Sequence, residues 1–207
     1  TWATEPRYKS EKELIVKDKQ VRSPTYYKIF RVPSLFAGIA GEEVDENEIY
    51  NLIILSQLLG SSNTSYLYEK LVLNQEVANS VSSDYSPVGR TEATFDFNLQ
   101  VKDGVSISTM EKALEFALDS FINDFNDQEK LEIAKTNIKA SQVYAKDDAM
   151  AFARSMGKFL SAGGSIEQYD AFFNKIDAVT LDSLKQTAKK YLQSDQVLDA
   201  WLVPEDK

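Results

Sequence analysis

The chain contains no histidine and no cysteine. The first absence removes the commonest general base and the commonest catalytic zinc ligand. The second removes a disulfide framework, a thiolate nucleophile and any thiolate metal site. A cysteine-free chain works in either redox compartment, so location stays open on this count. Positive charge is also scarce: 23 Lys and Arg stand against 32 Asp and Glu, for a net charge of −9 and a pI of about 4.7. Such a surface repels phosphate backbones and anionic membranes, which argues against nucleic-acid partners. No apolar run approaches the roughly 20 residues that span a bilayer, so no membrane span is expected. The opening Thr1-Trp2-Ala3-Thr4-Glu5-Pro6 lacks the layout of a signal peptide and reads as a cut inside a longer chain.

What is present suffices for one core. The 207 residues are 43% hydrophobic and 27% charged, without a low-complexity tract. Residues 1–11 are polar, carry Pro6 and read as a linker or tail; 12–207 read as one domain, with no repeat or composition break to divide them. Glu13 to Lys17 and Tyr26 to Val32 read as strands, separated by the break at Ser23-Pro24. Asp45 with Glu48 predicts a capping box, opening a helix through Ile49, Leu52, Leu55 and Leu59 that is apolar over more than half its circumference and stops at Gly60. A second helix is expected over Tyr66, Leu67 and Leu71, with Leu73 as its continuation. Val77 to Tyr85 and Ala93 to Val101 read as a hairpin-like strand pair, with Phe95, Phe97 and Leu99 on one side. Helices then follow: one capped by Ser108, one capped by Asp127 with Leu131, Ala134, Ile138 and Val143 on one face, one over Ala149 to Leu160 ending at Gly163-Gly164, a short one from Ile166 to Phe173, and one capped by Thr180. Val197 to Val203 is a last strand, stopped by Pro204. Strands and helices in this order give an α+β fold: one sheet with helices packed on one face and the final strand returning to it.

The search for chemistry finds little. A zinc hydrolase needs three protein ligands and an open position for water. Only carboxylates remain to supply them. Glu42-Glu43, Asp45-Glu46 and Asp147-Asp148 lack a partner at i, i+4 and read as solvated surface or helix caps. There is no calcium loop, no phosphate-cradling glycine motif, and a serine triad would lack its histidine. A Ser–Lys dyad has no supporting context at Ser10-Glu11-Lys12. The Tyr and Phe residues fall at strand and helix spacing and read as core rather than as a carbohydrate or peptide platform. No catalytic, cofactor-binding or metal-binding residue is assigned, and the substrate-binding residues stay unknown.

One run is more specific. LLGSSNTSYLYEKLV over 58–72 resembles the "LLGxGxxSRLYxxLV" segment of the C-terminal, non-catalytic domain of M16 (insulinase/pitrilysin-type) zinc peptidases, in their bacterial form. Val77 to Val81 is similar to the family's "LAYSV" strand, Leu131 to Lys135 to its "ELExAK" helix, and Val143 to Asp147 with Ala153-Arg154 and Gly157 to "VYARD…AR…G". Val179-Thr180, Lys190-Tyr191-Leu192 and Leu202-Val203-Pro204 fit the family's ending, and Val21 to Pro24 with Val32-Pro33 its opening strands. The resemblance covers nearly the whole chain in order. It implies the metallohydrolase domain fold shared with the mitochondrial processing peptidase, with zinc held by an HxxEH helix in an N-terminal domain of the same polypeptide. Zinc is thus expected in the parent enzyme, with no cofactor in this stretch. Peptide substrate, and a second M16 subunit or a homodimer, are the further partners implied. Some M16 domains carry an Arg and a Tyr seven residues apart that help to hold substrate; here those positions are Val72 and Asn79, and Tyr66 stands where "SRLY" has Arg. The resemblance therefore implies a wall of a peptide-enclosing chamber. The alternatives are an M16-fold structural or assembly subunit without peptidase activity and a stand-alone peptide-binding module. By the same analogy the setting is bacterial, with the periplasm favoured over the cytoplasm.

Overall fold

The computed structural model describes residues 12–40 and 43–205; the expected linker at 1–11 lies outside them. Five strands form one sheet in the order β1-β5-β2-β4-β3: β1 (Lys12–Asp18), β2 (Thr25–Val32), β3 (Ala78–Tyr85), β4 (Ala93–Val101) and β5 (Val197–Pro204). β5 runs parallel to β1 and antiparallel to β2, so the last strand is inserted between the first two. The remaining pairs are antiparallel, with Phe30 opposite Phe95 and Val81 opposite Leu99. Side chains alternate across a pleated sheet. On β2, Tyr26, Lys28, Phe30 and Val32 are buried, and on β4, Phe95, Phe97, Leu99 and Val101.

The helices are α1 (Glu46–Gly60), α2 (Ile107–Asp124), α3 (Gln128–Tyr144), α4 (Ala149–Ala162), α5 (Ile166–Asp170), α6 (Phe172–Asp177) and α7 (Leu181–Leu192). They cover one sheet face, as the α+β reading requires. α1 is buried on most sides because the sheet lies against one face and α3, α6 and α7 against the others. Buried Asn51 ties it to α7, donating to the Ser183 carbonyl at 3.2 Å and to Thr187 Oγ1 at 2.8 Å. Under α2, Tyr26 stacks on Trp201 with ring centroids 4.4 Å apart. Beside them Lys28 pairs with Asp199 at 3.0 Å, Tyr26 donates to Asp199, and Trp201 Nε1 donates to Glu111 at 3.0 Å.

Local chemistry differs from the sequence reading at several points. Asp45 does cap α1, but it accepts from Asn47 N; Glu48 turns instead to Lys190 and Tyr191, so no capping box forms. Gly60 does end α1 as expected, though not in left-handed conformation. It is the last residue of α1, and a Cβ there would lie 2.4 Å from Ser83 N, so the glycine lets α1 approach β3. Ser106, not Ser108, caps α2, because its hydroxyl reaches Thr109 N. Val143 is 53% exposed, since α3 runs past the body it packs on. The short helix at 166–173 is two helices, α5 and α6, meeting at Ala171. Pro204 is the last residue of β5 rather than the residue beyond it. The second helix continues from Tyr66-Leu67 into a π-helical turn over Tyr68–Asn74, where Gln75 N reaches back five residues to Lys70 O; Leu73 there is exposed.

Candidate functional site

With the helices on one side, no described residue outside the sheet covers the other side. On β2 that side carries Tyr27, Ile29 and Arg31; on β5, Leu198, Ala200 and Leu202; on β1, Leu14 and Val16. Register sets Leu14 against Ala200, Val16 against Leu202, and Ile29 against Leu198. The result is an apolar half-face in which Leu14 is 51% and Val16 45% exposed. The other half, on β4 and β3, is polar: Thr94, Asp96, Asn98, Ser82 and Asp84. Asp84 lies directly opposite Asp96. Burial, reinforced by Asp84, raises the Asp96 pKa above the ordinary carboxylate value, against the lowering effect of the Thr94 hydroxyl bond. Arg31 and Glu92 form an ion pair at the β2–β4 end.

Neither sheet edge is paired by another strand among the described residues. Among the described residues β1 pairs only with β5 and β3 only with β4. An edge strand offers free N–H and C=O groups that accept another extended chain. β1 is exposed along its whole length. β3 begins irregularly: Ala78 pairs with Val101 and Ser80 with Gln100, which leaves Asn79 as the bulged residue. Glu76, just before it, sits at φ 51°, a left-handed conformation costly for a residue with a Cβ.

The positions singled out in sequence gather around this start of β3. Val72 lies in the π-helical turn and packs against the core. Asn79 directs its amide at the Val101 carbonyl, 3.5 Å away. Tyr66 packs its ring on Phe121 at 5.1 Å and Phe125 at 5.9 Å, with the Lys70 ammonium 5.4 Å from its centre. Val72 has no polar atom and Tyr66 is held by aromatic packing, so neither supplies the cationic contact that Arg would give.

The acidic clusters do not converge. Asp148 caps α4 through Met150 N and Ala151 N, and Glu46 pairs with Lys175 at 3.3 Å. Glu42 lies outside the described residues, as do Ser10 and Glu11. Among the described residues no group of three or more carboxylates is arranged to hold a metal ion, and the chain has no His or Cys; the residues present do not fit zinc. No helix among them is long and apolar enough to cross a membrane. The sequence reading missed the uncovered apolar half-face, although its signal was present: Tyr27 and Ile29 occupy the alternate positions of β2, and Leu198, Ala200 and Leu202 those of β5. These strands are apolar on both sides.

The family model for the peptidase M16 inactive domain matches residues 2–138. A Bacillus subtilis (strain 168) protein named uncharacterized zinc protease YmxG is 24% identical over 165 residues, 79% of this chain and 40% of that protein. The chain thus spans less than half the length of that relative. A solved protease from Helicobacter pylori superposes with a TM-score of 0.85 at 19% identity, over 98% of this chain and 46% of its own. The inactive peptidase domain of a Bordetella parapertussis protein gives 0.76 at 17% identity, over 92% and 98% respectively. At these identities the structural likeness speaks to the fold alone.

Proposed function

The chain belongs to the peptidase M16 inactive-domain family, and from that membership we propose that it is a non-catalytic wall of a peptide-enclosing chamber, set beside a zinc-bearing N-terminal domain of the same M16-type metallopeptidase. The observation that carries this reading is the uncovered sheet face. An extended peptide has alternating side chains and unpaired backbone groups. A bare face with an apolar half and a polar half suits the first, and an open edge suits the second. Zinc and the attacking water belong to the partner domain, because this chain's residues do not fit the metal. Its own part is to bind and orient peptide and to exclude water. A bacterial, periplasmic setting belongs to the same proposal; the relatives named above are bacterial.

The test places a charge on the half-face. Ile29→Asp, made in this chain and combined with a zinc-bearing M16 domain, should raise KM for a quenched fluorescent peptide several-fold and leave the helix-side core intact. An unchanged KM would remove the uncovered face from the substrate path. A second reading, an assembly subunit without peptidase activity, is favoured by Val72 and Asn79 at the positions where substrate-holding Arg and Tyr stand in some relatives. It predicts no cleavage with any zinc-bearing partner.

A further inference from the structure

On the helical side a cavity of about 300 Å³ opens between α1, the loop after β3, the end of α3, and α4 to α6. That is the lower end of the range for small-ligand sites. Its apolar wall is built by Tyr50 and Ile53 from α1, Val88 from the loop, and Phe159, Tyr169 and Phe172 from the later helices, with polar residues such as Ser155 and Gln168 beside them. The rings brace one another. Tyr50 meets Phe172 at 5.9 Å and Phe159 meets Tyr169 at 5.7 Å, both edge to face. Phe159 holds its place because residue 164 is glycine; a Cβ there would fall 2.2 Å from the Phe159 ring. The cavity is therefore shaped by specific packing rather than left by loose ends.

The rim carries charge of the sign that the molecule lacks. In a chain of net −9, α4 has Arg154 and Lys158 and no acidic residue. Lys158 and Lys146 both line the opening, with Asp170 as the single carboxylate there. Lys146 Nζ lies 5.8 Å from the ring centres of both Tyr169 and Phe173. Among the described residues, neither Lys146 nor Lys158 lies within ion-pair distance of a carboxylate. Two ammonium groups against one carboxylate at an apolar wall match a ligand that is apolar at one end and anionic at the other.

We propose that this cavity binds an apolar side chain or short chain ending in a free carboxylate, the apolar part among Ile53, Phe159 and Phe172 and the carboxylate on Lys146 and Lys158. Two sources share that chemistry: the C-terminus of a peptide ending in an apolar residue, and a fatty acid. The site needs neither zinc nor a second domain, so it stands apart from the chamber reading.

The test is a titration of the methyl-labelled 207-residue chain, followed by NMR at the Ile53 and Val88 methyls. The probes are acetyl-Gly-Leu-Phe as free acid, the same peptide as C-terminal amide, and decanoate. A carboxylate ligand should shift both methyls. For the peptide, the amide should bind about tenfold more weakly than the acid, since it lacks the charge-assisted contact. Lys146→Gln with Lys158→Gln, both on exposed positions, should cost the acid a similar factor, and Ile53→Trp, read at the remaining Val88 methyl, should fill the cavity and abolish the shifts. Binding of the peptide acid but not decanoate assigns the peptide source; the reverse assigns the fatty acid. Equal binding of acid and amide, shifts that persist in Ile53→Trp, or no shift with any probe would overturn the proposal.

Discussion

Single residues in this chain often serve packing where their type suggests something else. Gly60 ends α1 as its type suggests, and it also lets the α1 backbone pass close to β3. Gly60→Ala should therefore destabilise the domain by about 1–3 kcal/mol, the usual cost of overpacking, readable as a fall in the denaturant midpoint; a neutral result would mean that α1 and β3 separate freely. Glu111 is a second case. Burial raises its pKa, against the lowering effect of the Trp201 N–H bond; the charges of Asp199 and Glu13 push the same way as burial, while Lys28 opposes them. A carboxyl with a raised folded pKa adds stability while protonated. That contribution is complete below the ordinary value of 4.5 and is lost as pH rises through the raised one. Glu111→Gln, neutral at every pH and still an acceptor for Trp201, should match the wild type near pH 4 and melt higher at pH 7. A variant that melts lower at pH 7 would show that the attraction to Lys28 outweighs burial. Neither role was legible in sequence. A glycine's close approach and a glutamate's burial depend on what lies across the fold, and nothing in the local pattern reports it.

At the scale of elements, periodicity read well and termini read less well. The strands at Tyr26 to Val32 and Ala93 to Val101 were set by strict alternation, and their buried residues are the ones alternation selects. The caps at Asp127 and Thr180 form as expected. Ser108 lost to Ser106 because both are good caps and only chain geometry chooses between them. The π-helical turn at Tyr68–Asn74 has no sequence signature separate from an α-helix. The bulge at Asn79 was not legible, because it depends on how β3 pairs with β4. α4 stands apart from the other long helices: none of its residues is buried, while α1 is enclosed on most sides. Helices with few buried contacts open first. Hydrogen exchange should find α4 amides opening at much lower free energy than those of α1, whose protection should approach the global stability. Equal protection would mean that α4 is locked into the fold despite its exposure, and the cavity beneath it would be closed to exchange with solvent.

The whole molecule is a half-covered sheet. Helices bury one face, and among the described residues the other is left open, apolar near β1, β5 and β2 and polar near β4 and β3. A sheet of this kind is suited to facing something, and in the proposed function that something is the zinc-bearing domain. The uncovered half-face needed the strand order, because β5 inserts between β1 and β2 and brings the apolar positions of three strands onto one side. The most direct test is the cleavage of a quenched fluorescent peptide with zinc present, measured for this chain alone, for a zinc-bearing M16 domain of the same source alone, and for the two together. The account predicts background rates for each alone and a zinc-dependent rate at least about tenfold higher for the pair, in keeping with the gain expected when substrate is held in place. Cleavage by this chain alone, or a pair no faster than the zinc-bearing domain by itself, would contradict it.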